Sequence, residues 1–203
     1  MTEAFVRHDA GVQYLTSPLL ASYGIPHLFS LRGGGVSDGV FASLNFAQGG
    51  GTLRDTAENV FENHARAAAV LSLPPSRVCR SYQTHSLTVR RADDADAGRG
   101  LTAPPFAEGV DGLYTQTPAL LLSVRYADCV PVLLCDTKSG ALQPYIRDGA
   151  VRSAASPPMP FARCSAAALL RGTSWLPSAP VRGAAAMRSP TSCTVRSCRR
   201  IRR

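Results

Sequence analysis

The chain changes character near residue 146. Up to Gln143 it sets apolar segments between turns; from "IRDGAVRSAASPPMPFARC" onward it is Arg, Ala, Ser and Pro with almost no acid. Residues 1–146 carry 11 Lys and Arg against 13 Asp and Glu, whereas residues 147–203 carry 11 Arg against the single acid Asp148. The net charge of +8 therefore belongs to the last part and does not mark the first as a nucleic-acid surface. A packed core has to come from residues 1–146, read as one domain. Residues 147–203 read as an Arg/Ala/Ser/Pro-rich tail, expected to be disordered.

Several classes drop out early. No apolar run is long enough to cross a membrane as a helix. The start, "MTEAFVRHDAGVQ", lacks the charged-then-apolar pattern of a secretory signal. Six cysteines without such a signal point to reduced thiols rather than a disulfide framework, and to a cytoplasmic protein.

Along the chain, "HLFSLRGGGVSDGVFASLNF" places two short apolar segments around Gly33, Gly34 and Gly35. Those glycines suit a tight turn, or a loop whose backbone approaches a ligand. They lack the Lys-Ser/Thr ending of a phosphate-binding P-loop. "DTAENVFENHARAAAVLSL" predicts a helix with Asp55 as cap, Glu58 completing a capping box, and Pro74 and Pro75 as the stop. His64 on it reads as a surface or packing residue. "RVCRSYQTHSLTVRR" alternates as a strand would, with Tyr82, Thr84 and Ser86 on one face and Gln83 and His85 on the other. "ADDADAGRGLTAPPFAEG" reads as a loop. "VDGLYTQTPALLLSVRYADCVPVLLCD" supplies two nearly continuous apolar segments, the pattern of buried strands.

Between those strands Cys129 follows Asp128, and Pro131 is expected to interrupt regular pairing. A cysteine there is by default a small core hydrophobe. Paired with His85 it offers one thiolate and one imidazole, a set suited to zinc or copper. Two ligands do not make a zinc centre, and the four histidines, His8, His27, His64 and His85, all precede Cys129.

"FSLRGGGVSDGVFASLNF", "YQTHS" and "VDGLYTQTPALLLSVRYADCVPVLLCD", in that order across residues 26–143, resemble the YfiH-like family. Its members are called multicopper polyphenol oxidases (laccase-domain proteins) or purine nucleoside phosphorylases. The resemblance implies an α/β (α+β) fold, a mixed β-sheet core flanked by helices, here incomplete after about residue 146. It implies a shared metal site of His, Cys and His. His85 and Cys129 match the first two and, with Asp128, would be the catalytic residues. Arg32, Gln83 and Asp128 would border the substrate. The third ligand is the His of an "HAGWRG" motif downstream of the cysteine, and this chain lacks it.

That motif should begin near position 146, where the composition changes. With each codon started on the third base of the one before, the junctions from Tyr145 to Val151 and Arg152 can spell His-Ser/Thr-Gly-Trp-Arg-Gly-Thr. In the same shifted frame Pro177 to Pro180 permits Ile-Gly-Pro, and Ala184 to Arg188 permits Cys-Cys-Tyr-Glu, both like later family segments. A single frame change near codons 138–145 accounts for all three.

The resemblance implies zinc-dependent phosphorolysis of purine nucleosides (adenosine, inosine, methylthioadenosine) with adenosine deaminase activity, impaired here for want of the third ligand. The partners would be a purine nucleoside and phosphate, with no membrane and no nucleic acid. Zinc would supply a hydroxide near neutral pH, Asp128 a proton shuttle, and Arg32 a planar fork for an anion. Three other readings stay open. One is copper-dependent oxidation of phenols, for which four histidines are few. Another is a cysteine hydrolase editing peptidoglycan precursors, with Cys129 activated by His85. The last is a basic-tail RNA binder whose affinity would fall steeply with salt.

Overall fold

The computed structural model of the chain describes residues 5–50, 52–127, 130–135, 142–147, 166–171 and 185–186. In chain order these form β1 (Val6–Asp9), β2 (Gln13–Thr16), α1 (Pro18–Ser22), β3 (His27–Ser30), β4 (Gly49–Gly50), β5 (Leu53–Arg54) and α2 (Ala57–Val70). There follow β6 (Val78–Arg80), β7 (Val89–Arg91), β8 (Gly112–Tyr114), β9 (Leu121–Tyr126), β10 (Val130–Cys135), β11 (Leu142–Arg147), β12 (Ala166–Arg171) and β13 (Ala185–Ala186).

The strands assemble into a six-stranded sheet ordered β1-β2-β3-β12-β9-β6, a five-stranded sheet ordered β13-β10-β11-β8-β7, and the small β4-β5 ribbon. Both large sheets are mixed, since β6 runs parallel to β9 and β7 parallel to β8 while the other pairs are antiparallel. The expected mixed-sheet α/β architecture is the one observed. α2 covers one face of the six-stranded sheet, where Ala67 and Ala68 pack with Val78, Leu121, Leu28 and Phe46. On the opposite face Cys79, Leu120 and Leu122 pack with Phe106, Val110 and Leu113, as the two-residue alternation of a strand requires. β9, between β12 and the edge strand β6, is buried, with Leu121, Leu122 and Val124 fully so. Cys79 is a buried free thiol.

Four local expectations are corrected. The cap of α2 is Thr56, whose Oγ1 accepts from the Asn59 N–H at 3.0 Å. Asp55 is instead drawn inward by donors more valuable to a buried carboxylate, the Ser37 hydroxyl and the amides of Asn45 and Asn59. The helix also ends before the prolines: Ser72, at φ 56°, turns left-handed, and the N–H groups of Ser72 and Leu73 return to the carbonyls of Ala69 and Ala68.

The strand expected over "RVCRSYQTHSLTVRR" is broken into β6 and β7, with residues 81–88 outside any strand. Pro131 does not interrupt pairing: β10 and β11 stay in register through Pro131↔Ile146. Pairing with β13 is confined to Val132 and Leu133, so among the described residues β11 alone flanks the proline, a position that tolerates a missing N–H. The Arg-rich segment contributes two described strands, β12 and β13. Its run "AAALLR" at Ala166–Arg171 is apolar enough to lie between β3 and β9 as β12. The rest of that segment lies outside the described residues, as do the Asp148–Arg152 and Pro177–Pro180 junctions of the frame-change reading.

Candidate functional site

Three strands of the large sheet point the same way. β6 is parallel to β9, and β3 and β9 are each antiparallel to β12 and hence parallel to one another. The carboxyl ends of β3, β6 and β9 therefore share one edge, the edge at which open α/β sheets bind ligands. Every site residue expected from the sequence follows one of these ends: Arg32 after β3, Gln83 and His85 after β6, Asp128 and Cys129 after β9. Asp128 and Cys129 lie outside the described residues, so the structure gives the placement of the strand ends flanking them and no geometry for their side chains.

Two side-chain contacts tie the three ends together. Gln83 Nε2 donates to the Arg125 carbonyl at 2.7 Å, and its Oε1 accepts from the Arg125 N–H at 2.9 Å. The amide thus prolongs the β6–β9 ladder with a side chain in place of a peptide. Tyr126, the last residue of β9, donates its hydroxyl to the carbonyl of Ser30, the last residue of β3, at 2.8 Å. Gln83 therefore acts on the segment leading to Asp128 and Cys129.

His85 is exposed at a positive φ of 60°, a conformation that costs a non-glycine residue about 1 kcal/mol or more and is retained only when its surroundings enforce it. Asp111 enforces it. Its buried carboxylate accepts the N–H groups of Thr84, His85 and Ser86 at 3.1, 2.9 and 2.8 Å, and the Ser86 hydroxyl at 2.7 Å. Three consecutive N–H groups converging on one carboxylate cannot alternate as a strand does, which is why the strand stops at Arg80. Burial works to raise the Asp111 pKa, but the bonds from Ser86, Thr84 and His85 outweigh it and hold the carboxyl below its ordinary value.

Arg32 is exposed and gives its guanidinium to its own loop, Nε to the Ala42 carbonyl and Nη2 to the Val40 carbonyl. The glycine run beside it is a close backbone approach: a Cβ on Gly34, at φ 94°, would collide with the Gly11 carbonyl, and one on Gly35 with that of Ser43. The loop is held from behind by Asn63 of α2. Asn63 Oδ1 accepts from the Val36 N–H at 2.9 Å, and its Nδ2 donates to the Ser37 hydroxyl and the Asn45 carbonyl at 2.8 and 2.7 Å. Asp55 completes this network, its pKa raised by burial but lowered further by Ser37, Asn45, Asn59 and the Thr56 N–H. Asn63 and Asp111 are site-shaping residues that sequence reasoning did not single out, and Asp55 was singled out only as a helix cap. Only Asp111, in the "VDG" of a segment already singled out, lay within reach of such a reading.

The other histidines are engaged elsewhere. His8 contacts the Thr16 hydroxyl at 2.8 Å, and His27 accepts from the Ser17 N–H through Nε2 while its Nδ1 contacts the Ile25 carbonyl. His64 is fully buried edge-on against Phe46. Among the described residues no three His, Cys, Asp or Glu side chains stand together as a metal centre, and no helix is long and apolar enough to cross a membrane. A cleft of about 440 Å³ beside β7, lined by Val89, Arg91, Phe106 and Glu108 among others, includes none of the expected site residues.

A family model described as multi-copper polyphenol oxidoreductase laccase matches residues 26–143. A purine nucleoside phosphorylase of Deinococcus radiodurans is 39% identical over 132 residues, covering 65% of this chain and 46% of the relative. Purine nucleoside phosphorylase YlmD of Geobacillus stearothermophilus is 37% identical over 111 residues, covering 53% of this chain and 38% of the relative. The crystal structure of YlmD from that organism superposes with a TM-score of 0.60 at 31% identity, covering 71% of this chain and 52% of YlmD. That of the Bacillus licheniformis hypothetical protein YfiH gives 0.59 at 27% identity, covering 70% and 51%. The chain thus spans less than half the length of these curated relatives. With the matched segment running from β3 to β11 and the expected site residues all within it, the chain belongs to the multi-copper polyphenol oxidoreductase laccase family, to which the YfiH resemblance pointed.

Proposed function

We propose that the carboxyl edge of β3, β6 and β9 is the active site of a purine nucleoside phosphorylase, acting on adenosine, inosine and methylthioadenosine, with adenosine deaminase activity. The observation that carries this reading is the convergence of three like-directed strand ends on one edge, each followed by expected site residues and tied by Gln83–Arg125 and Tyr126–Ser30. The relatives named purine nucleoside phosphorylase support it.

In this reading His85 and Cys129 are two ligands of a zinc ion, whose chemistry when bound is to activate a nucleophile at neutral pH. The remaining roles fall to the chain itself. Asp111 holds the His85 backbone and so the direction of its imidazole. Gln83 positions the chain entering Asp128 and Cys129. Asp128 moves the proton, and Arg32 fixes the loop that closes the substrate side. The donor set is one short of the three that a catalytic zinc needs: His8 and His27 are bonded elsewhere and His64 is buried. The chain should therefore bind zinc weakly and turn over slowly.

The test follows phosphate-dependent release of hypoxanthine from inosine by the 203-residue chain and by a chain read in the restored frame. The expected outcome is stoichiometric zinc and full turnover in the restored chain, both reduced in this one and both stopped by a chelator. Full zinc and turnover in this chain would refute the impairment. No phosphorolysis in the restored chain would refute the reading. Chelator-resistant hydrolysis lost on Cys129→Ser would instead favour the cysteine hydrolase, and oxidation of phenols with bound copper the laccase.

A further inference from the structure

Among the described residues four buried polar atoms have no hydrogen-bond partner: His64 Nε2, Arg80 Nε, Ser123 Oγ and Arg125 Nε. They belong to one place. Arg80 is opposite Ser123 in the parallel β6–β9 ladder, so both side chains leave the same sheet face, and Arg125, two residues along β9, leaves it as well. It is the face that α2 covers, since Val78 and Leu121, the preceding residues of that face, pack on Ala67 and Ala68. His64 and Ser123 are 0% and 1% exposed.

The cluster is short of negative charge. Arg80 sends Nη1 to the Gly100 carbonyl at 2.8 Å and Nη2 to the Phe46 carbonyl at 3.4 Å, and among the described residues neither Arg80 nor Arg125 has a carboxylate partner. Burial, and then the neighbouring Arg125 charge, lowers the Arg80 pKa to about 10, a sign of two cations held without compensation. His64 contributes a lone pair rather than a charge. Its Nδ1 lies 2.8 Å from the Val60 carbonyl, which can only accept, so Nδ1 carries the proton and Nε2 is an acceptor. A water molecule would satisfy these hydrogen bonds and leave both charges unopposed; an oxyanion does both.

We propose that Arg80, Arg125, Ser123 and His64 form a binding site for inorganic hydrogenphosphate. The Nε–H groups of both arginines and the Ser123 hydroxyl donate to phosphoryl oxygens, and the P–OH donates to His64 Nε2. The acceptor decides the ligand. Hydrogenphosphate keeps one P–OH at neutral pH; sulfate has none, and phosphomonoesters, with a second pKa near 6, have largely lost theirs. Arg80 and Arg125 stand at the carboxyl ends of β6 and β9, the ends that lead to His85 and Cys129. The assignment rests on the phosphorylase reading for its role, that of the phosphate co-substrate, but not for its chemistry.

The experiment is isothermal titration of the full 203-residue chain, held in chelator so that no metal binds the anion, with inorganic phosphate, sulfate and ribose 5-phosphate at pH 7.5. Phosphate should bind at least about tenfold more tightly than either competitor, one good hydrogen bond being worth about that factor. Arg125→Met should weaken phosphate by tenfold or more, and Arg125→Lys, which keeps the charge and loses the Nε–H, should weaken it while leaving the thermal transition in place. His64→Leu should bring phosphate and sulfate together. No phosphate binding would overturn the site and assign the counter-charge to the chain, with Asp128 nearest in sequence. Equal affinity for phosphate and sulfate, or an affinity unmoved by Arg125→Lys, would overturn it too. Phosphate binding without phosphorolysis would refute the functional reading and keep the site. Phosphorolysis with a phosphate KM unmoved by Arg125→Lys would do the reverse.

Discussion

At the scale of single residues, buried carboxylates hold the site's backbone in place, and two neutral imidazoles are buried beside it. Asp111 gathers four donors, and Asp111→Asn, which turns an NH₂ group toward them, should cost about 2–3 kcal/mol, read as a lower urea midpoint. Because Asp111 and Asp55 have lowered native pKa values, the unfolded chain takes up their protons first as pH falls. Their stabilisation is present above the unfolded carboxylate range and is lost as pH drops through the native values. The histidines add a second step at higher pH. Burial lowers the pKa of His27, against a rise from the Ile25 carbonyl, and burial followed by the Arg80 charge lowers that of His64 well below normal. Unfolded chains then hold more protons just below the ordinary histidine pKa, so stability should rise with pH through that range. Urea titrations at a series of pH values should show the rise, and His64→Leu should flatten it; a flat profile in the parent chain would contradict the buried neutral state.

At the scale of elements, α2 is both a core helix and the back wall of the glycine loop. Its ends can be tested without touching that wall. Thr56→Ala removes the cap and should cost about 1 kcal/mol, while Ser72→Gly, at φ 56°, should gain about 0.5–1 kcal/mol by relieving a left-handed serine. Thermal melts of the two variants should move in opposite directions. Asn63→Ala is a different kind of change, since it removes the acceptor of the Val36 N–H and a donor to the Ser37 hydroxyl and the Asn45 carbonyl together. It should cost about 2–4 kcal/mol and loosen the Arg32 loop, seen as faster hydrogen exchange at residues 33–45. If exchange there stayed at the parent rate, Asn63 would not be the wall of that loop.

At the scale of the whole molecule, β12 lies between β3 and β9 and pairs one edge of each, two of the three strands that lead to the site. Ending the chain at Arg147 should therefore expose the edges of β3 and β9 and drive aggregation, measured by light scattering at equal concentration. A soluble, cooperatively melting 1–147 fragment would show that residues 166–171 are dispensable. Resequencing codons 138–190 addresses the same region at the level of the gene: an extra or missing base would restore the "HSGWRG" or "HTGWRG" motif, and a confirmed frame would leave the Arg-rich segment to be understood in its own right.

The apolar runs of β9 and β10, the turn glycines and the order of "RGGG", "QTHS" and "ADC" were legible in the chain, because alternation, turn chemistry and motif spacing are local properties. Through the family resemblance that the motif order carries, they implied the mixed-sheet fold and named Arg32, Gln83, His85, Asp128 and Cys129 as candidates. Local pattern failed at "RSYQTHS" and at Asp55. There the backbone and the carboxylate answer to groups far along the chain: Asp111 lies 26 residues from His85, and Ser37 lies 18 from Asp55. No period or propensity encodes such a partner. The left-handed turn at His85, the Asn63 wall and the facing of Arg80, Arg125 and His64 on one sheet face were decided by tertiary structure, because only there do distant buried polar groups meet the partners that offset their loss of water.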